Sequence, residues 1–289
     1  MLPKISIVIP TYTSSGKFID ACLNAISKQN YPQDKIEVIV ADNLSTDNTV
    51  LVAKQYGAKV ILVQGKPSQA ARQRNEGMLT ATGEYVYILD HDMVMTPGLL
   101  FSLAKRIEAT KGEIDAWYIP EKIVGNNKFW SEMRTFERSF YNSTVVDAVR
   151  VIKKEVFANG LKYDPELSAG PADWDFDAAL KKGAYRLALL EGLEHVKHYE
   201  HFLSLGKYLS KKSGYSVGGE KYQKKWFNLD KDIYYSIVKK QYNPFYRLVV
   251  IFIEKGKWKK ILSRPILFLS IFGVRLLVAI TYLFRKRHV

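Results

Sequence analysis

Short apolar runs alternate with amphipathic stretches along the first hundred residues. Four runs of strand-forming residues predict strands, of which the first reads as buried, and between them apolar residues recur at the three- and four-residue spacing of a helix with one buried face. This alternation favours an α/β fold in which helices cover both faces of a mostly parallel sheet. The predicted strands cover residues 5–9, 36–40, 59–63 and 85–89, and the predicted helices cover 18–29, 47–56 and 68–80.

The middle of the chain gives a weaker pattern. A proline near the start of residues 97–108 favours a helix there. Residues 116–124 and 145–152 read as strands, and an aromatic-rich segment separates them. Carboxylates suit a helix N-terminus, so the acids that open residues 173–182 predict a further helix.

The last ninety residues differ from the rest in charge. The 289-residue chain has a net charge of +14, yet residues 1–199 hold equal numbers of basic and acidic side chains, whereas residues 200–289 hold 19 Lys or Arg and 5 Asp or Glu. Anionic lipid head groups and nucleic acid are the two obvious partners of such a basic end. The single cysteine, Cys22, excludes an intrachain disulfide and fits a reducing compartment. Because the chain opens without a charged region followed by an apolar one, we expect no signal peptide.

Residues 266–284 form an apolar run with one charged residue, Arg275, and basic clusters lie on both sides of it. The run is just long enough to span a bilayer, but a central arginine makes a span costly. We therefore expect a basic, apolar helical extension that lies in the membrane interface and is held on anionic lipid. A helix buried in the protein and a true span are the alternatives.

Two acids, Asp90 and Asp92, directly follow the predicted strand 85–89. Side chains alternate along a strand, so the two carboxylates point the same way if the strand persists. Ligands of open α/β sheets bind beyond the carboxyl ends of the strands, and paired carboxylates there suit Mg²⁺ or Mn²⁺. The alternative is a surface loop in which both acids are solvated.

Four fragments of the first hundred residues occur in a characteristic order, three of them at predicted strand ends and one within the predicted helix 68–80. They resemble the nucleotide-sugar-dependent glycosyltransferases of family 2, closely over residues 4–100 and more loosely over 165–200. The resemblance implies a GT-A fold, a Rossmann-like, mostly parallel sheet with flanking helices, and inverting transfer of a sugar to a hydroxyl acceptor. The fragments are Pro10-Thr11-Tyr12, Ala41-Asp42-Asn43-Leu44-Ser45-Thr46-Asp47-Asn48-Thr49, Arg74-Asn75-Glu76-Gly77 and Asp90-His91-Asp92.

The resemblance assigns the donor nucleotide to the first strand ends. Asp42 matches the base-binding aspartate of the family, although an Asx-turn at the following helix entry is its structural alternative. Pro10, Thr11 and Tyr12 would line the nucleotide with their backbone. Arg74 matches an arginine near the donor diphosphate, whose charge it would offset.

The same resemblance assigns the metal and the catalytic acid–base group. Asp92 is the expected direct ligand of Mn²⁺ or Mg²⁺, and Asp90 contacts the donor ribose or metal-bound water; His195 or His198 is expected near the metal or phosphate. The segment Ala172-Asp173-Trp174-Asp175 resembles a family motif that precedes a helix, with alanine in place of glutamate. Asp173 then corresponds to the general base, and Trp174 and Asp175 are acceptor-side candidates.

Taken together, residues 1–205 are predicted to form a GT-A catalytic domain, with a nucleotide-sugar half (1–100) and an acceptor half (101–205), and residues 206–289 the membrane-associating extension. The expected partners are a nucleotide-sugar donor, a glycan or lipid-linked acceptor and the anionic cytoplasmic face of the cell membrane. One rival is a nucleotidyltransferase. Another is a non-enzymatic nucleic-acid-binding protein that uses the lysines and tyrosines of 206–226; this rival leaves the acids unexplained, so no nucleic acid is expected. A third is an inactive family member used as a scaffold.

Overall fold

The computed structural model describes residues 1–13, 16–64, 70–167, 169–200, 205–206, 208–209 and 219–285. Most of the lysine- and tyrosine-rich stretch between 206 and 218 lies outside the described residues, as does the start of the helix predicted from residue 68. By its internal packing the chain forms two units: Met1–Pro120 with Ala148–His198 is unit 1, and Glu121–Asp147 with Tyr199–Val289 is unit 2. The predicted domain boundary at residue 205 stays a prediction.

Unit 1 is built on a seven-stranded sheet with the strand order β3-β2-β1-β4-β8-β6-β9. The neighbours among β1 to β4 run parallel, β6 and β9 run parallel, and β8 is antiparallel to both β4 and β6. The predicted α/β class with a mostly parallel sheet is therefore confirmed. The seven strands are β1 (Ile5–Thr11), β2 (Ile36–Asp42), β3 (Lys59–Leu62), β4 (Tyr85–Ile88), β6 (Ala116–Tyr118), β8 (Val151–Lys153) and β9 (Leu187–Leu189).

Helices cover both faces of this sheet because its central strands are buried on both sides. Ile7 and Ile9 of β1 pack in one apolar cluster with helices α1 and α4, and Val8 packs in the other with α3 and α7. A side chain at Gly77 would meet Val8 at 2.2 Å, so the glycine lets α3 lie close against β1. The helices of unit 1 are α1 (Gly16–Ser27), α2 (Thr49–Gln55), α3 (Ala71–Thr80), α4 (Leu99–Ala109), α6 (Lys154–Ala158) and α7 (Ala169–Lys182), and two further strands, β5 (Met93–Met95) and β10 (Val196–Tyr199), pair antiparallel.

Two predicted strands differ from the structure. The strand predicted over 116–124 is divided into β6 in unit 1 and β7 (Glu121–Val124) in unit 2, because Pro120 cannot donate a ladder hydrogen bond. The strand predicted over 145–152 is confined to β8.

Unit 2 is organised around helix α5 (Lys128–Tyr141), which occupies the aromatic-rich segment left without a predicted structure. The basic and apolar C-terminal part is helical, as predicted, and its aromatic side chains continue the packing: the ring of Phe252 contacts both Phe140 and Phe268 edge to face. Within the described ranges, none of the helices combines the length and the apolar character that a membrane crossing requires. The helices after α7 are α8 (Gly219–Leu229), α9 (Lys231–Ile233), α10 (Lys239–Tyr242), α11 (Ile251–Ile253), α12 (Trp258–Ser263) and α13 (Pro265–Arg285), with π-helical turns at Tyr234–Val238 and Tyr246–Val250.

Candidate active site

The carboxyl ends of β1 and β2 place Thr11 beside Asp42. The two residues are paired in the parallel ladder, and the Thr11 hydroxyl donates to Oδ1 of Asp42 at 2.8 Å. The backbone N–H of Ser45 donates to the other carboxylate oxygen at 2.7 Å, and the Ser45 hydroxyl donates to Oδ1. The turn alternative for Asp42 is therefore realised: this buried carboxylate organises the loop after β2. Pro10 lies within β1, and the side chain of Tyr12 is half exposed just beyond the strand.

Gln73 joins these strand ends to helix α3. Its buried amide donates to the carbonyl oxygens of Thr11, at 2.6 Å, and Ala41, at 2.8 Å. This contact was not predicted from the sequence. Because both carbonyls lie where the strands end, the amide ties helix α3 to the ends of β1 and β2, and the Thr11 carbonyl also accepts from the backbone N–H of Asn43.

Arg74 connects two acids that are distant in the sequence. Its Nη1 atom donates to Oδ1 of Asp173 at 2.5 Å, and its Nη2 atom donates to Oδ1 of Asp90 at 3.1 Å. Burial by itself would lower the pKa of Arg74, but the charges of Asp173 and Asp90 outweigh it and raise that pKa. The guanidinium is therefore a permanent, buried cation at the carboxyl edge of the sheet.

A second arginine, Arg150, holds the other oxygen of Asp90. Its Nη1 atom lies 2.9 Å from Oδ2 of that carboxylate. Burial would raise the pKa of Asp90, but Arg150 and then Arg74 lower it well below its usual range. Sequence reasoning missed Arg150, which directly precedes β8; the available signal was an arginine among the apolar residues at the end of the predicted strand 145–152.

Asp92 lies beside one of the two candidate histidines. The antiparallel pairing of β5 with β10 sets His198 opposite Met93, and Nε2 of His198 lies 3.5 Å from Oδ2 of Asp92. Burial would raise the pKa of Asp92, but the hydrogen bond and charge of His198 lower it. The ring of His195 lies instead against the backbone carbonyl of Leu193, with 2.8 Å between that oxygen and Nδ1.

Asp173 lies inside helix α7 rather than at its start. The helix was predicted to begin at Asp173 but begins at Ala169, so this acid does not cap the N-terminus. About a quarter of the Asp173 side chain is exposed. Asp177, one turn further, is buried and accepts hydrogen bonds from the Tyr118 hydroxyl and the Val149 backbone N–H, which makes it part of the core.

Of the two predicted acceptor-side residues, Trp174 is half buried and Asp175 is fully buried. Only the Trp174 side chain therefore presents surface that a bound glycan could contact without a rearrangement of the helix. A stacking contact of its indole ring with a sugar is compatible with this exposure. The side chain of Asp175 is enclosed by the protein. Its predicted role on the acceptor side therefore rests on the resemblance alone.

Asp92 and His198 are a carboxylate and an imidazole that lie close enough together, in the part of the chain that the structure describes, to share a divalent metal. Both oxygens of Asp90 face arginines, so that carboxylate is poorly placed as a direct ligand in this arrangement. Among the described residues, no group of three or more His, Cys, Asp or Glu side chains could hold an ion. A carboxylate and an imidazole are nevertheless acceptable ligands of Mn²⁺, and oxygen atoms of a bound diphosphate could supply the rest.

Comparisons with known proteins identify the family and the fold. The profile of glycosyl transferase family 2 matches residues 6–159. A poly(ribitol-phosphate) beta-N-acetylglucosaminyltransferase, TarS from Staphylococcus aureus, is 34% identical over 93 residues, which is 31% of this chain and 16% of TarS. The match thus covers only a small part of that relative.

Two solved structures share the fold. The mannosyltransferase PcManGT from Pyrobaculum calidifontis, in complex with GDP-Man and Mn²⁺, matches 99% of this chain and 88% of its own, with a TM-score of 0.60 and 19% identity. Residues 1–349 of S. aureus TarS in complex with UDP-GlcNAc match 90% of this chain and 79% of that one, with a TM-score of 0.57 and 18% identity. At these identities the likeness concerns the fold.

Proposed function

This chain belongs to glycosyl transferase family 2, and on that premise we propose that unit 1 transfers a sugar with inversion from a nucleoside diphosphate to an acceptor hydroxyl. The observation that carries the proposal is the bridge that Arg74 makes between Asp90 and Asp173. One cation thereby joins the strand end expected to hold the donor to the acid expected to act as base. Asp90 and Asp173 are 83 positions apart in the sequence, and two solvated surface acids would not both contact one buried arginine.

The donor would lie along the ends of β1, β2 and β4. Asp42 accepts three hydrogen bonds from Thr11 and Ser45 and keeps one lone-pair site for an N–H of the nucleobase, since a carboxylate has about four such sites. Because its side chain is fully buried, the proposed contact requires the loop after β2 to move when the donor binds. The half-exposed ring of Tyr12 is available to the base or ribose. Arg74 and Arg150 supply two buried positive charges for the diphosphate, whose negative charge grows as the glycosidic bond breaks.

Asp173 is the proposed general base. As the acceptor oxygen attacks the anomeric carbon, its proton passes to the carboxylate, the bond from that carbon to the diphosphate breaks, and the electron pair leaves with the nucleoside diphosphate. Arg74 contacts Oδ1 of Asp173, so we assign proton acceptance to Oδ2. The same contact holds the carboxylate in one orientation, which limits the reorganisation needed at the moment of reaction.

Asp92 and His198 are the residues proposed to hold a divalent metal, and a mannosyltransferase of the same fold carries Mn²⁺ with its donor. When bound, such an ion would supply Lewis-acid stabilisation of the departing diphosphate. Asp90 would then act through its two arginines and the donor rather than as a direct ligand.

The proposed acceptor is a hydroxyl group of a glycan or lipid-linked glycan close to a membrane. A relative matched over part of its length acts on poly(ribitol-phosphate), according to its name. The positive charge of the last ninety residues would favour acceptors embedded among anionic groups.

The test is a calorimetric screen of UDP-, GDP- and dTDP-sugars with Mn²⁺ on three proteins: wild type, Asp92→Ala and the control Asp34→Ala, which changes an exposed acid of the same unit. We expect one nucleotide class to bind wild type and Asp34→Ala in a metal-dependent way, and Asp92→Ala to lose the metal dependence. If no nucleotide-sugar binds the wild type, or Asp92→Ala keeps the full effect of Mn²⁺, the corresponding part of the proposal is wrong.

A further inference from the structure

Helix α13 has one buried and one exposed face, and both are largely apolar. Leu267, Ile271 and Arg275 recur every four residues and are buried. Leu269 and Leu276 lie on the exposed side, at 68% and 48% exposure. Isolated exposed leucines are ordinary on protein surfaces, but a contiguous apolar face usually marks a contact with a partner or a membrane. Among the α13 side chains that the structure describes, the exposed apolar ones are Ile266, Leu269, Phe272, Leu276, Leu277 and Ile280.

The only charged side chain within the apolar run is turned away from this exposed face. Arg275 donates from Nε to Glu137 of helix α5 at 2.8 Å, and it also donates to the Tyr141 hydroxyl. Its guanidinium lies 4.4 Å from the centre of the Phe252 ring. The cost of placing an arginine in a membrane interface therefore does not arise, because the protein itself satisfies this charge.

The preceding helix, α12, also carries exposed apolar side chains and adds cations. Trp258 and Leu262 are exposed on it, and so are the basic residues Lys259 and Arg264 on and directly after it. Tryptophan suits the depth of lipid head groups, where one edge of the ring is apolar and the other is wet. Exposed apolar and cationic side chains thus follow one another on α12 and directly before α13.

Acidic side chains are almost absent from this stretch. Between residues 251 and 280 the sequence contains one acid, Glu254, and six basic residues. Glu254 is half buried and is held by the Tyr246 hydroxyl, at 3.1 Å, and the Lys257 ammonium, at 3.3 Å. The exposed surface of α12 and α13 therefore offers positive charge with no accompanying acid.

We propose that the outer face of α12 and α13, the docking face, lies on an anionic lipid bilayer with its apolar side chains at head-group depth. This inference goes beyond the proposed glycosyl transfer, because it concerns unit 2 and a surface rather than a reaction. The charges favour lipid over a second copy as the partner. Anionic head groups complement Lys259 and Arg264, whereas the docking face of a second copy has no acidic side chain to pair with them. An apolar helix beside cations is the arrangement that binds reversibly in the membrane interface.

Flotation of the full-length protein with phosphatidylcholine vesicles, with and without phosphatidylglycerol, tests the proposal. We expect binding to the anionic vesicles that weakens as salt is raised, because exposed charges are screened. The variant Leu269→Glu/Leu276→Glu should bind more than about a hundredfold more weakly, since two apolar contacts are replaced by charges of the wrong sign. Its control, Leu51→Glu/Leu79→Glu, changes two exposed leucines on helices of unit 1 and should bind like wild type.

A second double variant and its control measure the electrostatic contribution to vesicle binding. Lys259→Gln/Arg264→Gln should bind about thirtyfold more weakly, given the contribution of each cation near an anionic surface, whereas Lys54→Gln/Lys105→Gln removes the same charge from unit 1 and should change little. Thermal unfolding of each variant establishes that it is folded. The proposal is overturned if the folded wild type does not bind anionic vesicles, or if either double variant binds them as its unit 1 control does. It is also overturned if Leu269→Glu/Leu276→Glu changes only the sedimentation coefficient of the lipid-free protein, which would identify a second copy as the occupant.

Discussion

Arg74 donates from Nη1 to Oδ1 of Asp173 at 2.5 Å, although 99 positions separate the two residues. The same guanidinium donates from Nη2 to Asp90. A planar guanidinium holds its donors in a fixed arrangement, so this pair of contacts sets the relative position of the two carboxylates. A single side chain on α3 therefore controls the geometry between the proposed donor site and the proposed base.

Replacing Arg74 by lysine should separate charge from geometry. An ammonium keeps the positive charge but cannot span both carboxylates as the fork does. We expect the kcat/KM of Arg74→Lys to fall on the order of a hundredfold, the size of effect that small errors in positioning produce. Steady-state kinetics measure it, and Arg72→Lys, an exposed neighbour on the same helix, is the control. Equal kinetics for the two variants would contradict the bridging role.

Arg150 should support the ionised form of Asp90 in a pH-dependent way. Because the pKa of Asp90 is lowered in the folded protein, its contribution to stability is complete above the unfolded pKa, about 3.9, and is lost as the pH falls through the folded value. Arg150→Gln should therefore lower the free energy of unfolding at neutral pH, and the difference from wild type should shrink below about pH 4. Urea unfolding across this range measures the difference; a difference that grows towards acid would contradict the assignment.

Cys22 should resist thiol reagents in the folded protein. Burial raises the pKa of this thiol, and the charges of Asp92 and then Asp90 raise it further. Because the thiolate is the reactive form, alkylation at pH 8 should be very slow until urea unfolds the helix that carries Cys22. The rate of alkylation against urea concentration measures this, with the unfolded chain as the reference. Rapid reaction of the native protein would show that α1 does not pack as described.

The Arg275–Glu137 pair should stabilise unit 2 chiefly by satisfying buried charge. Glu137→Gln leaves two buried arginines, Arg134 and Arg275, with a weaker partner, and breaking such a pair typically costs about 3–5 kcal/mol. Glu137→Gln/Arg275→Met should recover part of that loss, because one uncompensated charge is removed with the acid. Denaturant unfolding of both variants measures the free energies.

The control for this prediction is the exposed pair of Lys153 with Glu155, 3.0 Å apart. Glu155→Gln should change the free energy of unfolding by less than about 1 kcal/mol, as surface ion pairs usually do. If Glu155→Gln and Glu137→Gln lowered the free energy of unfolding by similar amounts, the buried pair would stabilise the protein no more than the surface pair does.

The first four strands and the α/β class could be predicted from the local pattern of apolar residues, because parallel strands of this kind leave short apolar runs that stand out from the flanking sequence. Helix α5 escaped prediction since its apolar face is made largely of aromatic residues such as Phe136 and Phe140, which suit strands as well as helices. The apolar run after residue 265 was predicted to meet lipid with Arg275 inside it. Which way that arginine faces depends on Glu137, 138 positions earlier, and local pattern carries no such information.

The candidate site shows the same limit. The acids at strand ends are visible in the sequence because strand ends converge at one edge of a sheet, whatever the loops do. The choice between His195 and His198 depends on the register of β10 against β5, and a shift of one residue would exchange the faces of the strand. Arg150 belongs to the site only because β8 runs antiparallel to β4, which no short-range signal indicates.

The most direct test of the central claim compares donor binding with turnover in Asp173→Asn. Asparagine nearly preserves the shape of the side chain but cannot accept the acceptor proton, so we expect calorimetric donor affinity within about twofold of wild type and transfer reduced by about 10²–10⁴-fold. Glu76→Gln, which changes an exposed acid on α3, should leave both quantities unchanged. If Asp173→Asn binds the donor and turns it over at the wild-type rate, Asp173 is not the base and the proposed mechanism is wrong.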